Sequence, residues 1–229
     1  SRVPYDEPFR PSLLPFKRLY AFDAVNEDLS LAVRDKSLRV VPVGGSAAAG
    51  EDAFFGDFAV DLVPSVAVRI PTVGAGARIR SLHTDPPVDL EIARDGADNW
   101  FAKGRIGMRV RVVLELSLPR TQLSNRMSEW VWSSFDAPYL RLPESARPAV
   151  ERVVMALGLG RHLPPGVVLQ KLVDHFRGFH ESADLPTATD PALLYEEIPL
   201  SQRGECRHRE YAFLVTALGL GFPTRHVHN

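Results

Sequence analysis

RGECRHREYAFLVTALGLGFPTRHV, residues 203–227, is the stretch on which the reading of the fold turns. Gly204 permits a tight turn into a helix that begins near Glu205. Tyr211, Leu214, Val215 and Leu218 recur at i, i+3, i+4 and i+7, one apolar stripe of that helix, and Gly219 is read as its stop. Phe222 to Val227 then begins a strand. This geometry places Cys206 in the first helical turn, where unpaired backbone N–H groups and the positive end of the helix dipole favour thiolate over thiol. The same amides can hold an oxyanion once sulfur attacks a carbonyl, and Arg207 and Arg209 add positive charge nearby.

Upstream, the helical period continues. Ser145 is read as the cap of a helix with Ala146, Ala149, Val150, Val153, Val154 and Leu157 on one stripe, ended by Gly158. Pro164 and Pro165 open a second helix that turns Val168, Leu169, Leu172, Val173 and Phe176 inward and closes near Gly178. Residues 181–203, with Pro186, Pro191 and Pro199, read as a polar loop.

Before residue 140 the period is two. In Met108–Leu118 the even positions Met108, Val110, Val112, Leu114, Leu116 and Leu118 share one face, while Arg109, Arg111, Glu115 and Ser117 share the wet one. Asp95-Gly96, between Val88–Ala93 and Trp100–Phe101, is a hairpin signal. Six or more short strands separated by turns predict an antiparallel sandwich. The prolines at 4, 8, 11 and 15 make residues 1–17 an extended arm. The expected fold is α+β, with the β-sandwich over 18–140 and a helical, then mixed, core over 141–229.

Composition narrows the function classes. With 27 Lys+Arg against 28 Asp+Glu the net charge is −1, which argues against nucleic acid or an anionic surface held by bulk electrostatics. No apolar run reaches the ~20 residues of a membrane span. The single cysteine excludes an internal disulfide framework and an all-cysteine zinc site. Zinc held by Cys206, His208, His226 and His228 would need the helix start and the final strand to converge on thin spacings, and no cofactor is expected. His175 and His180, five apart, do not share a helix face and are read as surface residues. Trp130 and Trp132 are read as packing residues.

Gly204-Glu205-Cys206, the helix to Leu218 and the run from Gly219 through Pro223 to Arg225 resemble the transglutaminase-like superfamily of cysteine acyltransferases and peptidases, over residues 145–229. The resemblance implies the first half of a papain-like core: thiolate attack by Cys206 on a peptide or protein amide, an acyl-enzyme, and transfer to water or an amine. It also implies a catalytic histidine opening the strand after the one that begins near Arg225, and an aspartate one strand later. The sequence ends at Asn229, ahead of both, and His226 and His228 come too early for that role. The expectation is a core incomplete at its C-terminus and inactive alone, completed by a C-terminal fragment or a second chain. The competing expectation is a non-catalytic binding or scaffold module with an inert Cys206. The absence of disulfides fits a cytoplasmic protein and equally an exported one with the leader removed, and the sequence leaves the compartment open; bacterial members of that superfamily are often exported.

Overall fold

The computed structural model describes residues 20–46, 48–71, 76–120, 129–182 and 187–228; the arm 1–17 lies outside them. The chain is α+β. Its strands are β1 (Tyr20–Phe22), β2 (Ala24–Val25), β3 (Leu31–Ala32), β4 (Arg39–Val40), β5 (Glu51–Leu62), β6 (Ala67–Ile70), β7 (Arg78–Asp85), β8 (Leu90–Arg94), β9 (Trp100–Gly104), β10 (Met108–Pro119) and β11 (His226–His228). Helices α1 (Arg147–Ala156), α2 (Pro165–Arg177), α3 (Pro191–Ser201) and α4 (Cys206–Leu220) precede β11. Two compact units share these elements. Of the described residues, 20–21, 35–120 and 227–228 belong to one, and 22–34 and 129–226 to the other.

In the strand unit, β10 is central. It pairs antiparallel with β5 on one side and β7 on the other, with a bulge at Glu115/Leu116 against β7. Val110, Val112, Leu114, Leu116 and Leu118 are all buried, as period-two alternation demands. On the opposite face Arg111 makes a bidentate bond to Asp57, at 2.9 and 2.6 Å, and Arg109 stands 3.6 Å from Asp61. A second antiparallel sheet runs β4-β8-β9-β6. Its Ile92, Trp100 and Ala102 belong to the same buried apolar cluster as Val60, Ile79 and Leu114. The Asp95-Gly96 signal is the β8–β9 hairpin, where Arg94 faces Trp100 and the Asp95 carboxylate accepts the amides of Ala97 and Asn99 at 2.9 Å. Asn99 is fully buried and exchanges two bonds with the backbone of Ala21, accepting its N–H at 2.6 Å and donating to its carbonyl at 2.9 Å.

The helical unit has its own core, drawn from all four helices and from Val25 and Leu29. That is where the structure departs from the expected division at residue 140. The β2–β3 hairpin supplies apolar side chains to the helices, and the Tyr211 hydroxyl, itself on α4, donates to the Leu29 carbonyl at 2.7 Å. Trp130 and Trp132 pack against this core, as their composition suggested.

Three local expectations change. The loop 181–203 contains α3: Asp190 caps it by accepting the amides of Ala192 and Leu193, and Pro191 occupies the first turn, where a missing N–H costs nothing. Pro199, one of the three prolines behind the loop reading, is accommodated inside α3. Ser145 does not cap α1; its hydroxyl bonds Glu27, and a single 3-10 turn, Glu144–Ala146, leads into the helix. Gly219 does not end α4. A Cβ there would lie 2.3 Å from Val150 Cγ1, so this glycine permits the close crossing of α1 and α4, while Gly221, at φ +91°, is the left-handed terminus. No helix among the described residues is long and apolar enough to cross a membrane.

Candidate functional site

Four residues, 202–205, separate α3 from α4 and bring Cys206 to the first position of α4 with its side chain exposed. Gly204 makes the turn possible. Its φ is +138°, and a Cβ would sit 3.0 Å from that of His208. Glu205, extended at φ −74° and ψ 169°, is the N-cap, and the helix closes on it with a reciprocal capping box. His208, in the place usually taken by glutamate or glutamine, accepts the Glu205 N–H on Nδ1 at 3.2 Å, and the Glu205 carboxylate faces the His208 amide in return. With Nδ1 accepting, the proton of a neutral His208 lies on Nε2.

The electrostatics differ from the sequence expectation at one residue. Arg207 Nε is 2.7 Å from Glu205 Oε2, so its charge is balanced at the cap and not offered to the thiol. Arg209 does reach the site. With Phe179, Glu181, Gly204 and Glu205 it lines, around Cys206, a groove of about 510 Å³. Among the described residues this lining holds no histidine.

His226 lies in β11 with its ring against Phe22 and Nε2 3.5 Å from Glu210 Oε2. Among the described residues no three His, Cys, Asp or Glu side chains converge as a metal site. Two phenols of the helical unit are held protonated by burial: Tyr195, bonded at 2.7 Å to Thr216, and Tyr211, whose loss of a proton the Asp28 charge opposes further.

His175 is not the surface residue that spacing suggested. It is half-buried, with Nε2 2.8 Å from the Pro199 carbonyl and Nδ1 3.2 Å from Gln202 Nε2. Nothing in the period of α2 announces this, because the partners come from α3 and from the turn that α3 makes possible. His180 is exposed, as expected, but its backbone pairs with the same turn.

No family model and no curated protein matches the chain. Among solved structures the chain is similar to the periplasmic domain of TgpA from Pseudomonas aeruginosa, bound to ethylmercury, with a TM-score of 0.44 and 15% identity over 95% of this chain and 72% of that one. It is also similar to a protein from Cytophaga hutchinsonii assigned as a cysteine protease, with a TM-score of 0.31 and 11% identity over 76% of this chain and 65% of that one. What the thiol can do follows from this chain's own atoms.

Proposed function

We propose that Cys206 is the nucleophile of a transglutaminase-like thiol site that acts on peptide or protein amides. The observation that carries the reading is the exposed thiol at the first position of α4, set in a groove walled by Phe179, Glu181, Gly204, Glu205 and Arg209. The amides of Cys206 and Arg207 lie ahead of the intrahelical hydrogen-bond ladder and can receive an oxyanion. Sulfur, having given its proton to a base, forms a bond to the amide carbonyl carbon; the C–N bond then breaks and the amine leaves with that proton. Water or a second amine attacks the thioester, its proton goes to the base, and the thiolate is released. No histidine lines the groove among the described residues, and the step still needs a base beside the thiol.

The test is the rate at which iodoacetamide alkylates Cys206 in the native chain and in the same chain unfolded in urea, at about pH 6.5, with C206S as the blank. An activated nucleophile reacts faster in the folded chain, by about fivefold or more. Equal or slower alkylation of the folded chain sinks the reading and leaves Cys206 an inert thiol.

A further inference from the structure

We propose that His175 and Gln202 are positioning residues that fix the shape of the Cys206 groove through a clasp between the ends of α2 and α3; the proposal rests on the nucleophile reading above. Neither residue lines the groove. Each acts through backbone that does.

The clasp begins with two helix-end carbonyls. The last carbonyls of a helix have no N–H four residues on to accept. Pro199 O, in the last turn of α3, is such a group, while His175 O, in the last turn of α2, accepts the Gly178 N–H at 3.1 Å and keeps a second lone pair. Gln202 Nε2 donates to the first at 2.8 Å, and His175 Nε2 is 2.8 Å from the second. Because a carbonyl can only accept, the ring proton lies on Nε2, which leaves Nδ1 to accept the second hydrogen of the Gln202 amide, at 3.2 Å. Both hydrogens of that amide and both ring nitrogens are thereby used. Gln202 holds the arrangement from a left-handed backbone, φ 51° and ψ 34°, a region that residues other than glycine seldom adopt.

The main chain carries the constraint onward. The Gln202 carbonyl accepts the His180 N–H at 2.8 Å, and the His180 carbonyl accepts the Gly204 N–H at 3.2 Å. His180 is thus bonded on both sides of Arg203, forming a bridge. Its neighbours Phe179 and Glu181 are one wall of the groove, and Gly204, Glu205 and Cys206 are the other. The separation of the walls is set by those two backbone bonds, and the bonds are anchored at Gln202. The His175 ring also packs edge-on against Phe176, with centroids 5.3 Å apart, and Phe176 stacks on Phe179 at 5.2 Å, so the aromatic wall is held from the same residue.

The experiment uses the full chain and three variants, H175A, H175Q and Q202G. A glutamine at 175 can donate through Nε2 and accept through Oε1, so it can replace the ring, whereas alanine can do neither. Q202G removes the amide while suiting the left-handed backbone, so its effect is not one of strain. Hydrogen exchange is followed at the His180 and Gly204 amides, together with alkylation of Cys206 by iodoacetamide. H175A and Q202G are expected to raise exchange at both amides by about tenfold or more. The same two variants should slow alkylation by about threefold or more, and H175Q should return both readouts to near wild type. The proposal is overturned if exchange or alkylation is unchanged in Q202G, or if H175Q is no better than H175A. Should H175A fail to fold, Q202G decides alone. If wild-type Cys206 is alkylated no faster folded than unfolded, the nucleophile reading has failed; the exchange readout still reports whether the clasp exists.

Discussion

β10 and α4 are the central elements of their respective units, and they bury themselves in opposite ways. β10 shows one apolar face along its whole length and, over its first half, a charged one, with Arg109 and Arg111 matched to Asp61 and Asp57 on β5, while Ser117 near its end is buried. α4 has no wet face over its second half. Every residue from Leu214 to Leu220 is buried, and the polar residues crowd into the first turn, around Cys206. A strand spreads its exposed chemistry along one side because side chains alternate every residue. A helix enclosed by others can offer chemistry only at its ends, where backbone amides are also free to take part. The pattern places the candidate site at a terminus of α4 and makes the Arg109 and Arg111 face of β10 a solvated surface.

The sharpest way to break this comparison is to hollow each core in turn. Leu114→Ala, at a position 1% exposed, should cost about 2–5 kcal/mol, read from denaturant unfolding. Hydrogen exchange should show the loss in β5, β7 and β10. Equal loss of protection in α1 to α4 would mean that the two units unfold together, and the two cores could not be treated separately. Gly219→Ala forces a methyl to within 2.3 Å of Val150 Cγ1 and should cost about 1–3 kcal/mol, with protection lost first in α1 and α4. A neutral result there would show that the crossing opens freely. The smallest effect belongs to Arg111→Gln. Hydrogen bonds from Arg111, and then its charge, hold the Asp57 carboxyl below the ordinary carboxylate range. A carboxyl depressed in the folded state adds stability above its unfolded pKa and loses it as pH falls through the folded one. The substitution should therefore move the Asp57 titration, followed by NMR, back toward the ordinary range, while unfolding near neutral pH changes little because both side chains are more than half exposed.

Where one element carries its own signal, the sequence was legible. The β10 faces, the β8–β9 hairpin and the start of α4 follow from alternation, from Asp95-Gly96 and from Gly204. Where the signal belongs to a meeting of elements, it was not. Gly219 reads as a helix stop because its reason, Val150, is 69 positions away in the chain. The α3 helix was hidden by the prolines 186, 191 and 199, although Asp190 and Pro191 together are a helix start. Residues 22–34 fall inside the sandwich expected over 18–140, since nothing local says that Val25 and Leu29 pack with helices. At the candidate site, the position of Cys206 was readable from Gly204 and the stripe that follows. The pairing of Arg207 with Glu205 and the clasp of His175 with Gln202 were not, because both depend on turn geometry that spacing does not encode.

The glycine two residues before the cysteine has a consequence for how sequences of this kind should be compared. Gly204 is required twice by the fold, once by its positive φ and once by the His208 side chain that any Cβ would crowd. A relative without a thiol at 206 would still be held to glycine at 204 by the need to start the helix. Variation at 206, not at 204, is therefore the position that bears on the proposed chemistry.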